Sequence, residues 1–440
     1  MFDHWWPSPL LGAASGLDPH PALMLPFVLL LVCIAAMPFL QKEWWESHYA
    51  KVATVLGAVP VLYYAAALHA PGRLLQVAHE YVSFIALIGS LYVVSGSIHI
   101  RVRGEAKPWV NCVYLLAGAL LANVIGTTGA SMLLIRPWLR MNKYRITSYH
   151  VVFFIFIVSN IGGCLTPIGD PPLFLGYLHG VPFWWVMEQG WAAWAMALTG
   201  LLAVFWVLDR RNFRRASQLV RDRETAHETW SFDGLRNLAA LGLILAAVFL
   251  RRPPGLSEGL MVAAALGAYF TTPRRIHQAN DFSFAPVREV AWLFAGIFAT
   301  MMPALDYLES HSAQVGLDSG MKLFWLTGSL SSVLDNAPAY LTFWAAAMGR
   351  HGLSVQSRAD VQMFLSQQEH ELLAISLGAV FFGAVTYIGN GPNFMVKAIA
   401  SQAKVKTPTF FGYVLRYALP VLMPLFAIVS ILFFSRWRPF

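Results

Sequence analysis

Apolar runs of about twenty residues, the length that carries a helix across the roughly 30 Å hydrocarbon core of a bilayer, recur along this whole chain. Clear ones are residues 21–40, 52–70, 183–208 and 413–434. A chain of 440 residues that is 57% hydrophobic and 12% charged carries about half the charge of a soluble domain, where roughly a quarter of residues are charged. It reads as an all-α polytopic membrane protein. The net charge of +8 does not point to nucleic acid, because the basic residues sit between apolar segments, where they set orientation. Cys33, Cys112 and Cys164 are isolated and show neither metal-ligand nor disulfide spacing. No nucleophile–base pair, His/Cys metal set or phosphate loop suggests an enzyme. Residues 1–20 contain no Lys or Arg, so the first apolar run lacks the basic flank of a signal peptide and is expected to remain as a membrane helix.

One polar stretch, residues 209–233 (DRRNFRRASQLVRDRETAHETWSFD), divides the chain near its middle. Too short and too charged to hold a core, it reads as a cytoplasmic linker between two transmembrane units, residues 1–208 and 234–440. The two units repeat a pattern. Thr166-Pro-Ile-Gly-Asp-Pro-Pro-Leu-Phe174 aligns without a gap on Thr386-Tyr-Ile-Gly-Asn-Gly-Pro-Asn-Phe394, with Asp170 opposite Asn390. Upstream of each lies a polar island in apolar sequence, residues 122–131 (ANVIGTTGAS) and 331–339 (SSVLDNAPA). Further upstream are Gly-bearing apolar helices around Gly89 and Gly296.

Suppose each island is the tip of a re-entrant hairpin that enters and leaves by one face. Each half then has five spanning helices plus a hairpin, and because five is odd the second half is inverted. With the N-terminus outside, Lys and Arg are roughly threefold more numerous on the cytoplasmic side, the bias that fixes orientation. Lys42, Lys51, the basic cluster of residues 136–145, the linker arginines, Arg274, Arg275, Lys397, Lys404 and Lys406 fall inside. Arg73, Lys322, Arg350 and Arg358 fall outside. A full crossing by residues 109–136 would move the basic cluster outside, so the charge pattern favours the hairpin. Both termini are expected outside, in a bacterial-type inner membrane.

Ser159-Asn-Ile-Gly-Gly-Cys-Leu-Thr-Pro-Ile-Gly-Asp-Pro-Pro172 holds three prolines and three glycines. No unbroken helix fits it, because proline removes a donor and clashes with the preceding turn. At membrane depth the freed backbone groups must be buried in protein or line a wet cavity. Broken helices at matching places in two halves point to a transporter's midplane site; a plain proline kink is the alternative for either alone. Asp170 and Asp335 are the carboxylates expected at depth, the other Asp and Glu lying in loops or at helix ends. Burying a carboxylate costs several kcal/mol, so each takes a partner, a Na+ ion or a proton. Each is also placed to cap a half-helix N-terminus, and the two roles are compatible. Asn123, Thr127, Thr166, Asn336, Thr386 and Asn390 offer neutral oxygens to a hard cation, or hydrogen bonds to an anionic substrate. His99 and His150 adjoin basic loops and read as interfacial, and Trp44, Trp45, Trp184 and Trp185 as interface belts.

With these motifs the chain resembles the ion transporter superfamily, within it the branch of arsenite permeases and D-type sodium/proton antiporters. Citrate and dicarboxylate carriers are more distant members. The resemblance covers about residues 21–435 and rests on the stretch of residues 159–172, on Asp335-Asn-Ala-Pro338 and on the Thr386 motif. It implies two re-entrant hairpins and two unwound helices that meet at the centre to bind Na+ and substrate, and by analogy a homodimer. It also implies that Asn123 and Asn336 hold the place of the Asn in the Ser-Asn-Thr hairpin tips of the dicarboxylate carriers. Thr166 with Gly169, and Thr386 with Gly389, hold the unwound-helix positions. The tips here read Ala-Asn-Val and Asp-Asn-Ala, and Gly169-Asp-Pro-Pro-Leu173 replaces Gly-Thr-Pro-Pro-Asn. Asp in place of hydroxyl residues adds negative charge, which disfavours a carboxylate substrate and favours cation exchange.

The expectation is a secondary active Na+/H+ antiporter that uses no cofactor, Na+ and H+ being the transported ions. Asp170 and Asp335 would exchange Na+ for a proton, with Asn123, Thr127, Thr166, Gly169, Asn336, Thr386, Gly389 and Asn390 completing the site. The hairpin-bearing bundle would move against a scaffold of outer helices, in contact with membrane lipid. The alternative is Na+-coupled uptake of citrate or a dicarboxylate, or an arsenite-type permease.

Overall fold

Helices make up most of the computed structural model, which describes residues 19–101, 107–215, 231–250, 253–311 and 319–435. In the first half, a 3-10 turn at Pro21–Met24 leads into α1 (Leu25–Leu40), α2 (Lys42–Ala66) and α3 (Pro71–Gly96). A short strand β1 (His99–Arg101) follows, then α4 (Pro108–Met141), α5 (Ser148–Ile157), α6 (Pro171–Leu178) and α7 (Trp185–Arg215). The second half runs from β2 (Ser231–Asp233) through α8 (Asn237–Val248), α9 (Leu256–Thr271), α10 (Arg274–Ala279) and α11 (Ala285–His311). It continues with α12 (Gly320–Ser331), α13 (Asn336–Arg350), α14 (Arg358–Phe382) and α15 (Gly391–Gln402), and ends in α16 (Phe410–Phe434). Among the described residues, 7 helices are long and apolar enough to cross a membrane.

One of those seven is folded back on itself. At 34 residues, a straight α4 would reach about 51 Å at 1.5 Å per residue, yet its two ends touch. Asn111 and Asn142 exchange side-chain hydrogen bonds of 2.8 and 3.2 Å, and Tyr114 Oη donates to Leu134 O at 2.9 Å. The chain folds back at Gly126, whose φ of 77° and ψ of 155° belong to a region open essentially to glycine alone. Thus α4 is a helical hairpin with its tip in the first polar island. The second island forms the turn between α12 and α13, which pack together as a second hairpin.

The hairpins approach from opposite ends. Next to the base of the first, Ser148 Oγ donates to Lys406 O beyond the end of α15, at 2.9 Å. Beyond the base of the second, Val355 O lies 3.0 Å from His179 Nδ1 at the end of α6. Both tips reach Asp170 between them. Around this centre the helices sort into two groups. In one, α1, α2, α3, α8, α9 and α11 pack on one another; the other contains α4–α7 and α12–α16, and the groups join mainly along α3–α4 and α11–α13. Within the first group α2 and α11 cross closely on small residues: a Cβ built on Gly296 would sit 2.9 Å from that of Ala53, the packing that membrane helices favour.

Residues 1–18, with the signal-peptide reading of the N-terminus, and residues 216–230 of the linker lie outside the described residues. The linker's first residues continue α7, and its last pair as β2 with β1, antiparallel.

Several charged and aromatic residues sit elsewhere than expected. Arg73, assigned to an external loop, is 3% exposed on α3 and pairs with Asp306 at 3.0 Å, which also accepts from Tyr64 Oη at 2.6 Å. Asp209, assigned to the linker, is fully buried. It accepts from Arg145, Tyr149 Oη at 2.8 Å and Asn111 Nδ2 at 2.9 Å, with His150 Nε2 at 3.1 Å. His150 is therefore not interfacial: its Nδ1 accepts from Thr147 N at 3.2 Å in a capping box, which leaves Nε2 to carry the proton toward Asp209. Asp170 and Asp335 are thus not the only carboxylates at depth. Trp44 and Trp184 are exposed, but Trp45 and Trp185 are buried, because successive residues on a helix point about 100° apart and only one of each pair faces outward.

Candidate functional site

Two unwound segments cross between the hairpin tips. Helix α5 stops at Ile157 and α6 begins at Pro171; α14 stops at Phe382 and α15 begins at Gly391. Thr166 and Thr386 bind in the same way. Thr166 Oγ1 donates to Asn123 O at 2.5 Å and accepts from Gly169 N at 3.2 Å. Thr386 Oγ1 donates to Ser332 O at 2.6 Å and accepts from Gly389 N at 3.0 Å. Each threonine so ties its unwound segment to the hairpin tip of its own half. The segments turn tightly: a Cβ on Gly169 would lie 2.0 Å from Gly163 O, and one on Gly389 2.8 Å from Gly383 O.

By this bonding the Asn123 carbonyl corresponds to that of Ser332, so Asn123 and Asn336, the two expected hairpin-tip asparagines, stand at different backbone positions. Their side chains act differently. Asn123 Nδ2 donates to Ala119 O at 3.0 Å and Gly162 O at 2.7 Å, while Oδ1 accepts from Leu165 N at 2.8 Å. Both amide hydrogens are used, so Asn123 is a clasp on the unwound backbone. Asn336 is fully buried and donates to Asp170 Oδ2, which leaves its own Oδ1 without a hydrogen-bond partner.

Asp170 stands at the N-cap position of α6 but caps nothing. Pro171 and Pro172 have no N–H, and the N–H groups of Leu173 and Phe174 turn to the Asp170 carbonyl at 3.1 and 3.3 Å. The carboxylate, 1% exposed, faces the centre instead. Oδ1 accepts from Thr127 Oγ1 at 2.9 Å and Asn390 Nδ2 at 3.2 Å, and Oδ2 accepts from Asn336. These donors come from both hairpins and from the opposite unwound segment. Among the described residues no Lys, Arg or His pairs with Asp170. Asp335 is different: half-buried, it caps α13 by accepting from Ala337 N at 3.2 Å. The capping alternative is realised at Asp335 and not at Asp170.

Two more amides belong to this centre and were not anticipated. Asn160 Nδ2 donates to Asn393 Oδ1 at 2.7 Å, and Asn160 Oδ1 lies 3.2 Å from Asn390 Nδ2. Asn393 Nδ2 in turn holds the carbonyls of Gly383 at 2.7 Å and Thr386 at 2.9 Å. Their signal was an amide in or just after each unwound segment, where buried polar groups must find partners. His99 lies apart from the centre, bonded to Asn280 at 2.7 Å. A cavity of about 20 Å³ adjoins Asp170, walled by Gly126, Thr127 and Gly169 and, on α3, by Leu87 and Leu91. That space takes one water-sized species.

Residues 18–434 match the model of a family described as "Putative citrate transport". The chain is also similar to the "46 kDa membrane protein" of Mycobacterium leprae (strain TN), 27% identical over 342 residues, which covers 74% of this chain and 76% of that protein.

Proposed function

The chain belongs to the family described as "Putative citrate transport", and from that premise we propose that it is a secondary active transporter in which Asp170 carries the coupling cation. One observation carries this reading: a buried carboxylate held by neutral donors alone, beside a cavity of about 20 Å³. Hydroxyl and amide donors orient a carboxylate without neutralising it, and an uncompensated buried charge costs several kcal/mol. A Na+ ion or a proton removes that cost, and the two compete for one site. Asn336 suits both states. Its NH2 serves the carboxylate, and after a half-turn of the amide its Oδ1 accepts from the carboxylic acid. Na+/H+ exchange follows if the centre opens alternately to the two membrane faces, with the halves inverted and the helix group bearing the hairpins moving against the other.

The family description favours a second reading, Na+-coupled citrate uptake. In it, Na+ at Asp170 offsets part of the charge of the arriving anion. Purified protein in proteoliposomes separates the two. Antiport predicts that Na+ alone collapses an imposed pH gradient, with no citrate present. Labelled citrate accumulating only under a Na+ gradient, without Na+-driven proton movement, would move the assignment to citrate uptake. Fluxes indifferent to Na+ and to pH would overturn both.

A further inference from the structure

A second cavity opens beside the last helix, and its wall shares no residue with the one at Asp170. Helix α16 contains a π-turn at Val414–Ala418, a rare widening that recurs at functional places. Arg416 lies within it and is exposed. Its neighbours Phe411 and Leu415 are 72% and 61% exposed, so this surface is apolar and turned away from the helix bundle. Among the described residues no carboxylate pairs with Arg416. The helix has 25 residues and so spans about 37 Å, some 7 Å more than the hydrocarbon core. Arg416 lies six residues, about 9 Å, from the helix start, close enough to the headgroup boundary for its long basic side chain to reach toward the polar layer.

Beside Arg416 opens a cavity of about 460 Å³, with Pro408, Thr409, Phe411, Leu415 and Tyr417 in its wall. Thr409 Oγ1 accepts from Gly412 N at 3.1 Å and keeps its own hydrogen to donate. Lys404 and Lys406 stand exposed on the segment that leads into the helix, on the face that the Lys and Arg bias makes cytoplasmic. Anionic lipid concentrates near such basic groups.

We propose that this cavity binds the phosphate headgroup of an anionic phospholipid, held by Arg416 and the Thr409 hydroxyl. Phosphate is the shared chemistry of lipid and free anion, but the apolar rim of Phe411 and Leu415 selects the form with acyl chains. Hydrogen bonds link this wall to the second unwound segment. Pro408 O, in the cavity wall, accepts from Tyr387 Oη at 3.2 Å, and Tyr413 Oη on α16 donates to Ala384 O at 2.7 Å. The two tyrosine rings lie 4.2 Å apart. Tyr387 adjoins Thr386 in the second unwound segment, so a seated headgroup braces the strand of chain that presents Asn390 to Asp170.

Native mass spectrometry of the detergent-purified full chain, with phosphatidylglycerol or phosphatidylcholine added, tests this without measuring flux. The wild type is expected to retain phosphatidylglycerol in preference to phosphatidylcholine. Arg416→Gln should lower its occupancy about fivefold, and Arg416→Lys should keep most of it. Leu415→Trp, which fills the mouth and leaves the charge intact, should lower occupancy as well and serves if Arg416→Gln fails to fold. Inorganic phosphate in large excess should not displace the lipid. Equal retention of the two lipids by the wild type, unchanged retention in both Arg416→Gln and Leu415→Trp, or displacement by phosphate would each overturn the proposal. None of these outcomes bears on Asp170, and loss of ion exchange would leave this site standing.

Discussion

Asp170 and Asp335 look alike in sequence, each an acidic residue at the start of a half-helix, and their surroundings separate them. Asp335 has a task that asparagine performs equally well, since Asn and Asp rank together as N-caps. Asp335→Asn is therefore expected to keep the thermal midpoint of the wild type and exchange within about a factor of two, measured in detergent and in proteoliposomes. Loss of exchange in that variant would show that Asp335 serves ion exchange as well as capping. Asn123 is a clasp whose loss leaves Leu165 N unpaired in the interior and removes one of the two donors to Gly162 O. Asn123→Ala should lower stability by on the order of 2 kcal/mol or more, read as a fall in thermal midpoint. Much of this centre was legible beforehand, because Thr166, Gly169, Asp170, Thr386, Gly389 and Asn390 recur at fixed spacing in two copies. Asp209 and Asp306 were not legible. Asp209 abuts a run of arginines and Asp306 precedes a polar stretch, so each reads as a helix end, and only the tertiary approach of Arg145 or Arg73 reveals it as buried.

At the scale of elements, the hairpins and unwound segments depend on a few close backbone approaches. Gly169→Ala would place a Cβ 2.0 Å from a carbonyl oxygen within the turn, whereas Gly89→Ala meets only a Val287 methyl at 3.6 Å. Overpacking of the first kind costs about 1–3 kcal/mol and often more. Gly169→Ala should sharply reduce the yield of monodisperse protein on size-exclusion chromatography, with Gly89→Ala indistinguishable from wild type; equal behaviour of the two would refute the tight crossing. The first hairpin was readable from the placement of Arg136, Arg140, Lys143 and Arg145. The counterpart of Asn123 was not, because the first tip turns on a single glycine and the second on a capped loop. Pairing by residue type therefore slips against pairing by backbone position.

Across the whole molecule, the two helix groups are held unequally at their two ends. Where α6 finishes, Glu309 accepts from Ser354 Oγ at 2.8 Å and Val355 N at 3.1 Å, Gln356 Nε2 donates to Asp306 at 2.7 Å, and His179 lies 3.6 Å from Glu80. At the other end an ion pair of 3.2 Å joins Arg136 to Asp281, whose side chain is 73% exposed. Exposed pairs are worth about 0–1 kcal/mol, so Asp281→Asn should leave stability nearly unchanged. Glu309→Gln combined with Gln356→Ala should loosen the first end. Cys164, fully buried six positions before Asp170, reports on this in a Cys33→Ser, Cys112→Ser background. Its reaction with a small methanethiosulfonate should speed up in the loosened variant and not in Asp281→Asn; the opposite order would show that the seal lies at the other end.

The central claim is that one carboxylate, Asp170, couples ion movement to the opening of the two ends. Purified Asp170→Asn, reconstituted beside wild type and Asp335→Asn, tests it most directly through Na+-dependent dissipation of an imposed pH gradient. The account predicts a rate for Asp170→Asn no higher than in protein-free liposomes, while Asp335→Asn follows the wild type. Exchange at the wild-type rate in folded, correctly inserted Asp170→Asn would contradict it.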